Sequence, residues 1–529
     1  MSENTVEKSY DEVPYPSGAF EQTHPDRLAT IAALFGMSPA PLETCRVLEL
    51  GCASGGNLVP MAHALPGATF VGIDISAREI ADGMPWIERL GLTNLRLLHK
   101  DILDLDASFG TFDYILCHGV LSWVPRVVQD KIFSVFGELL SPNGVAYVSY
   151  GALPGDHIRR MLREMMQFHV QKLPEPARRT AQARALTAFL ARSIPASNPL
   201  YAQLLKGESE RIQKRADEVL LHDDLSALNE AFYFHQIVDR ASAHGLKYLG
   251  EAVFADMQDQ PFSPDVRKTI RASGDLVTCE QYLDFLSCRA FRQTLLCRTD
   301  VPLERDLDAR AARRFRALSL SRPLSTKPDV QGAGVERFES LSGATVSIGF
   351  PLAKAAMVEL SARAPEALSF DELLSAVRER LRPPGSPVLT EDELRQEEQD
   401  LGETLLMAYG SNMIEMHLHA PALSLSPGER PKASLIARTQ AETSPHVTNL
   451  WHKNIFIDEP FALRLLCALD GTRDRDALVD RLTAETLAGA FPLLRDGEPV
   501  KDEAEARAMV RDRLGPALEK MARYALLAR

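Results

Sequence analysis

Short apolar runs that end at or near an acid recur through the first 150 residues. Val47-Leu48-Glu49-Leu50, Phe70-Val71-Gly72-Ile73-Asp74 and Leu95-Arg96-Leu97-Leu98, with Asp101 just beyond, are the first three. Phe112-Asp113-Tyr114-Ile115-Leu116-Cys117 and Val145-Ala146-Tyr147-Val148-Ser149 follow, the last after a Pro142-Asn143-Gly144 turn. Each has the length of a buried strand, and stretches of helical spacing separate them. Five such strands predict an α/β fold, a Rossmann-like doubly wound sheet with any ligand at the carboxyl ends of its strands.

Past residue 150 the period changes. Pro154-Gly155-Asp156 reads as a turn and helix start, and Ile158, Met161, Leu162, Met165, Met166, His169 and Val170 then recur at helical spacing as a core stripe. Further helices follow, so residues 154–320 read as a helical domain. Arg310, Arg313, Arg314 and Arg316 read as a solvated helix face, and the Pro- and Gly-rich stretch 321–340 as a linker. Beyond it, Ser369 with Glu372 and Thr390 with Glu393 have capping-box spacing. Short helices with a few strands there predict a winged-helix-like α+β domain over 341–529. At the other end, Tyr10, Pro14, Tyr15 and Pro16 favour an extended strap. Thr23 is placed to cap a helix whose first turn holds Pro25 and Asp26. Residues 1–40 thus read as a strap and helix, and 41–153 as the sheet domain.

Composition narrows the function. The 529 residues carry a net charge of −13, which disfavours a nucleic-acid surface, so protein contact or a homodimer suits the C-terminal domain better than DNA. Seven cysteines without a Cys-x-x-Cys pair suggest neither a zinc finger nor a disulfide framework and fit a reducing cytoplasm. His417, His419, His446 and His452 lack cysteine partners at zinc spacing, and no metal is expected. The amino terminus does not read as a signal peptide, and no apolar run approaches the ~20 residues of a membrane helix.

The chemistry lies after the first strand. Gly51, Ala53 and Gly55 let a ligand approach the backbone, because no bulky side chain intervenes. A dinucleotide pyrophosphate is one such ligand, but Glu49 just before the loop would repel it and suits an ammonium or sulfonium. Asp74, about 20 residues past the loop, is placed to accept from ribose hydroxyls. That position alone also fits NAD.

Glu49-Leu50-Gly51-Cys52-Ala53-Ser54-Gly55 resembles the first motif of class I S-adenosylmethionine (SAM) methyltransferases, with Ala53 in place of the central glycine. The resemblance implies SAM as cofactor and S-adenosyl-L-homocysteine as product. It implies that Asp101 accepts from the adenine amino group and that Ile102 donates its backbone N–H to the ring. Cys52, Asn57, Ile75 and His118 complete the implied cofactor set with Glu49, Gly51, Ala53, Gly55 and Asp74.

The strap motif Tyr10-Asp11-Glu12-Val13-Pro14-Tyr15-Pro16, with Gln22-Thr23-His24-Pro25-Asp26-Arg27-Leu28, narrows the family further. It resembles bacterial methyltransferases that carry a methyltransferase regulatory domain, among them rickettsial lysine methyltransferases acting on an outer membrane protein. His118-Gly119-Val120-Leu121-Ser122-Trp123 and the segments around His244–Glu251, Gln281–Leu286 and Phe291–Cys297 fit the same group. The resemblance implies a protein substrate methylated on lysine, a strap that closes the SAM pocket, and Tyr10, Tyr15, His118 and Trp123 near the acceptor. A small-molecule methyltransferase with a helical lid and a non-catalytic SAM-binding scaffold are the alternatives; Glu49 and Asp101 oppose an NAD-dependent oxidoreductase.

Overall fold

The computed structural model describes residues 12–195, 197–340, 343–382, 385–495 and 498–529. They divide into two compact units. The first holds residues up to Ser17, Ser38–Leu58 and Gly67–Pro302; the second holds Gly18–Met37, Val59–Pro66 and Leu303–Arg529.

The five expected strands are present in the first unit: β1 (Arg46–Leu50), β2 (Thr69–Asp74), β3 (Leu95–His99), β4 (Phe112–Cys117) and β5 (Leu140–Ala152). They pair in parallel in the order β3-β2-β1-β4-β5. Apolar residues fill them because helices cover both faces of a parallel sheet. The helix Arg126–Leu139 sends Val128, Ile132, Phe133 and Phe136 into one core with Leu48, Ile115 and Val148. Pro142-Asn143-Gly144 lies inside β5 rather than before it. The register jumps there, with Phe112 opposite Leu140 but Tyr114 opposite Val145.

The sheet does not stop at β5. A short β6 (Ala231–Phe232) pairs with β5, and β7 (Leu246–Glu251) and β8 (Phe291–Arg298) extend the far edge. β8 runs antiparallel to both β5 and β7. The stretch read as a helical domain therefore supplies the last strands of the sheet, and its helical bundle is confined to Asp156–Val170, Pro176–Ser193, Pro199–Lys214 and the turns after them. There Leu162, Met166, Val170, Ala183, Leu205 and Ile212 form one core with Met161 and Met165 packed against it, so the methionines pack inward as read, while His169 of the same stripe is exposed.

β7, β8 and the helix Leu276–Ser287 are tied by a buried charge. The Arg292 guanidinium, fully buried on β8, meets Glu251 Oε1 at 2.5 Å, Glu280 Oε2 at 3.0 Å and Asp284 Oδ2 at 2.9 Å, and lies 4.0 Å from the centroid of the Phe234 ring. Burial pushes the Glu280 carboxyl up to about 7.

In the second unit the helix Pro25–Leu34 is capped by His24, whose ring Nδ1 accepts from Asp26 N, and not by Thr23. Thr23 Oγ1 turns back and donates to Phe20 O. The stretch read as a linker contains strands at Arg322–Pro323 and Glu336–Glu339 that pair with each other, and the second also pairs with Thr345–Ile348. Both capping boxes form, at Ser369 with Glu372 and at Thr390 with Glu393. Arg313 and Arg316 pair with acids, Asp371, Glu398 and Glu372. The last core gathers Ala437, Val447, Leu465, Leu478, Leu482, Val510, Leu514 and Leu518 from three shorter helices, a hairpin and the long helix Glu503–Arg523. No helix of the described residues is long and apolar enough to cross a membrane.

Replacing Arg292 with methionine would leave Glu251 and Glu280 buried without their cation, while Asp284 would keep only its pair with Arg289 at 2.9 Å. We expect Arg292→Met to destabilise the first unit by about 3–5 kcal/mol in denaturant unfolding. Arg292→Lys should recover only part of this, since an ammonium cannot span three acids in one plane. A change below ~1 kcal/mol for Arg292→Met would show that the cluster does not hold the sheet edge.

Candidate functional site

The chain leaves β1 through Gly51, whose φ of 73° lies in the left-handed region. A Cβ on Gly51 would stand 2.6 Å from Val120 Cγ2, so the loop after β1 and the turn after β4 touch there. The N–H groups of Gly51 and Cys52 both donate to Ile73 O, at 2.9 and 3.0 Å. Ala53 follows with φ 46°, a left-handed conformation that costs a non-glycine residue roughly 1–2 kcal/mol. Its N–H donates to Asp74 Oδ2 at 2.8 Å, which helps hold it there. From the other side, Gly83 lets the helix Ala77–Leu90 close on the loop: a Cβ there would lie 2.5 Å from Ser54 O.

Three carboxylates surround this loop. Glu49 is buried; its Oε1 accepts from Asn57 Nδ2 at 2.8 Å, while its Oε2 is buried with no hydrogen-bond partner among the described residues. Burial, reinforced by the charge of Asp74, pushes the Glu49 carboxyl up to about 7. Asp74 accepts from Ala53 N and Ser76 N, yet burial still raises it above the ordinary carboxylate range. Glu79 is pushed up to about 7, mostly by burial. No cation among the described residues pairs with Glu49, and for Asp74 the charge of His99 only partly offsets burial. Burying an unpaired carboxylate costs several kcal/mol, so this cradle asks for a positive ligand.

The strap crosses the same region. Tyr15 N donates to Glu79 Oε1 at 2.9 Å, and the Tyr15 hydroxyl lies 3.4 Å from Asp223 Oδ1. His222 Nε2 meets Val13 O at 2.7 Å, and Gly56 N donates to Ser17 Oγ at 2.8 Å. Residues 13–17 thus lie between the helix after β2, the glycine loop and the turn at 220–224. Tyr10 lies outside the described residues.

The remaining predicted positions divide. Cys52 is a buried filler whose thiol is raised well above its ordinary value by burial. Ile75 is half-buried, with its carbonyl 3.0 Å from His99 Nε2. Asp101 caps the turn Ile102–Asp104 through a bond from Leu103 N to Oδ1 at 2.9 Å, and Ile102 is buried beside it. Trp123 is half-buried on the turn Leu121–Trp123, with the Arg163 guanidinium 5.9 Å from its ring centroid.

His118 follows β4, two residues before the Val120 that abuts Gly51. Its Nδ1 lies 2.9 Å from the Tyr147 hydroxyl and 3.2 Å from Ser149 Oγ. Burial pushes its imidazole down to about 4, so the ring is neutral at pH 7. Tyr147 and Ser149 were not foreseen as site residues. They alternate along β5 and so share one face, a signal the sequence carried but that only the pairing of β4 with β5 makes meaningful.

Comparisons with known proteins agree with this architecture. Residues 42–215 match the family described as Methyltransferase domain, 216–298 the Predicted methyltransferase regulatory domain, and 429–526 the PKMT, C-terminal winged helix domain. An uncharacterized protein of Rickettsia prowazekii is 36% identical over 530 residues, covering 98% of this chain and 93% of that protein. Another from the same organism is 42% identical over 249 residues, 47% of this chain and 100% of that protein. The structure of PKMT2 from Rickettsia typhi in complex with AdoHcy is similar with a TM-score of 0.87 and 32% identity, covering 97% of this chain and 100% of that one. The acid-lined loop fits a cationic adenosyl cofactor, and a relative of nearly the same length holds its demethylated form. The chain belongs to the family of SAM-dependent methyltransferases that carry a methyltransferase regulatory domain and a PKMT winged helix domain, the family of Rickettsia typhi PKMT2.

Proposed function

We propose that the protein methylates lysine side chains of a protein substrate in the cytoplasm. The unpartnered buried Oε2 of Glu49 carries the SAM part of this reading, and full-length likeness to a protein named PKMT2 supports the lysine part. Bound SAM supplies a methyl group on a positively charged sulfur.

This chain's residues do the rest. Glu49 supplies negative charge beneath the amino-acid end of the cofactor, and Asn57 orients it. Gly51, Ala53 and Gly55 let the backbone approach, and Asp74 and Ile75 receive the ribose. Asp101 has one oxygen engaged in its cap, which leaves the other for the adenine amino group, with Ile102 beneath the ring. Tyr15, held through Glu79 and Asp223, covers the pocket and excludes water. A lysine must arrive as the neutral amine, and its reference pKa near 10.4 makes that costly in water. Aromatic walls such as Tyr15 and Trp123 disfavour the ammonium by desolvation. Protein contact or self-association is the role we assign to the winged-helix domain.

Glu49 sets a pH dependence. Its ordinary carboxyl value of 4.5 rises to about 7 in the folded protein. Between those values the unfolded chain binds fewer protons than the folded one, so the ligand-free protein loses stability as pH rises through that window. A cationic ligand stabilises the carboxylate and reverses the effect. SAM affinity should therefore fall by up to ~tenfold per pH unit below 7, and its thermal shift should be larger at pH 8 than at pH 6. Glu49→Gln should weaken binding by about 1.5–3 kcal/mol and flatten the pH dependence, both read by calorimetry. A pH-independent affinity in the unaltered protein would remove Glu49 from the cofactor site.

Incubation with methyl-labelled SAM and a bacterial lysate, followed by separation of protein from small molecules, tests the substrate. Label should enter protein and localise to lysine by mass spectrometry. Label confined to metabolites would overturn the protein-substrate reading and favour the small-molecule alternative.

A further inference from the structure

The carboxyl end of β5 holds an acid that the donor site does not use. Tyr147, Ser149 and Gly151 alternate along β5 and so share one face of the sheet. The first two reach His118 Nδ1, at 2.9 and 3.2 Å. The third has no side chain, and a carboxyl group lies over it instead: a Cβ on Gly151 would stand 3.6 Å from both Cγ and Oδ1 of Asp156. Asp156 thus sits on the His118 face, one strand repeat (~7 Å) beyond Ser149. That end of a doubly wound sheet is where its ligands bind. Ser122 Oγ accepts from Gly151 N at 2.9 Å, which brings the turn carrying Trp123 to the same place.

Backbone bonds fix where this carboxyl lies. Ala152 N donates to Ala290 O at 3.1 Å, Leu153 N to Phe232 O at 2.9 Å and Gly155 N to Arg289 O at 2.9 Å. A Cβ on Gly155 would collide with Cys288 O, so the start of the helix Asp156–Val170 is pressed against that turn. Asp156 is only 7% exposed, yet among the described residues nothing donates a hydrogen bond to its side chain and no cation reaches ion-pair distance. The charged groups around it are Arg159, Arg163 and His157 on its own helix and Arg211 on the helix Pro199–Lys214. Two of these are committed elsewhere: Arg163 to Ser226 O and the Trp123 ring, and Arg211 to Glu208 and Asp224. Burial outweighs all four and raises the Asp156 carboxyl above the ordinary carboxylate range. A helix N-terminus favours an acid by only about 0.3–1 kcal/mol, less than the several kcal/mol that burying an unpaired carboxylate costs. The helix start alone therefore does not account for this residue.

We propose that Asp156 receives the methyl acceptor: its carboxylate pairs with the incoming ammonium of a primary amine and takes one proton from it. The proposal rests on the lysine reading of the substrate and deepens it, because an ammonium has no lone pair with which to accept a methyl group. An O–H bond forms on Asp156 as the N–H bond breaks, and the electron pair stays on nitrogen. That lone pair is the nucleophile for methyl transfer, and the neutral acid returns its proton to water after the product leaves. A carboxyl raised by burial lies closer in proton affinity to a desolvated ammonium, so the transfer costs less than it would to an ordinary aspartate.

The first test needs no turnover. n-Butylammonium chloride, which carries the end of a lysine side chain, is added to the full chain with S-adenosylhomocysteine and followed by saturation-transfer NMR. Its methylene signals should gain saturation from the unaltered protein and lose most of it with Asp156→Asn, while calorimetry shows S-adenosylhomocysteine affinity unchanged. Should Asp156→Asn fail to fold, Asp156→Ser gives the same comparison. No transfer in the unaltered protein, or equal transfer in the variant, would overturn the proposal. Methylation of poly-L-lysine at saturating SAM is the second test. Near pH 7 Asp156→Asn should lower kcat about a hundredfold with the KM for SAM unchanged. Raising the pH should restore it by roughly tenfold per unit toward 10, because solution then supplies the neutral amine, whereas the unaltered protein should change far less. A loss that high pH does not restore marks a structural role and overturns the proposal. If no form methylates poly-L-lysine while butylammonium still binds through Asp156, the lysine reading fails on its own and the ammonium site stands.

Discussion

Glu49 is the constraint around which the donor side is organised. A carboxylate at the end of a buried strand has no charge partner among the described residues, and one of its oxygens has no hydrogen-bond partner among them either. Such a group is expensive to keep, and packing alone would replace it with an apolar residue. Its surroundings make sense as a cradle for a cation. Gly51 brings the backbone against Val120, Ala53 accepts a strained backbone angle, and Asp74 gathers two N–H groups while remaining close enough to raise Glu49. Each feature costs stability in the ligand-free protein, and a positive ligand offsets them together.

Much of this was legible in the sequence because it is local. A parallel strand buried on both faces is a continuous apolar run, and its acid and glycine follow at fixed distances; β1 to β4 fall where the runs predicted. Capping boxes are equally local, and both formed. The failures were of other kinds. Thr23 lost its cap because an imidazole nitrogen at His24 can accept the same N–H. β7 and β8 went unread because each is a short run flanked by helices, and only pairing with β5 identifies them as sheet. The strands at Arg322–Pro323 and Glu336–Glu339 hid in a Pro- and Gly-rich stretch that composition alone marks as a linker.

The missed strands alter what the regulatory segment is. Arg292 and Gln293 are neighbours on β8, and successive residues of a strand point to opposite faces. Arg292 turns toward Glu251, Glu280 and Asp284 and fastens the helix Leu276–Ser287 to the sheet. Gln293 turns the other way, toward Tyr147. One strand therefore carries both the buried charge that holds the sheet edge and the contact that reaches the site. A segment with these two duties is part of the catalytic fold rather than an appendage to it.

The two sides of the pocket treat charge oppositely, and this follows from how each is satisfied. Near β1 and β2 the carboxylates are short of partners, so the local field favours a cation. After β4 the imidazole has hydroxyl partners on Nδ1 and is stripped of water, so it stays neutral and adds no positive charge. With the cofactor placed as proposed above, a protonated His118 would oppose its positive charge, at the turn that touches Gly51. Burial of the ring removes that conflict, while its hydrogen bonds preserve its orientation.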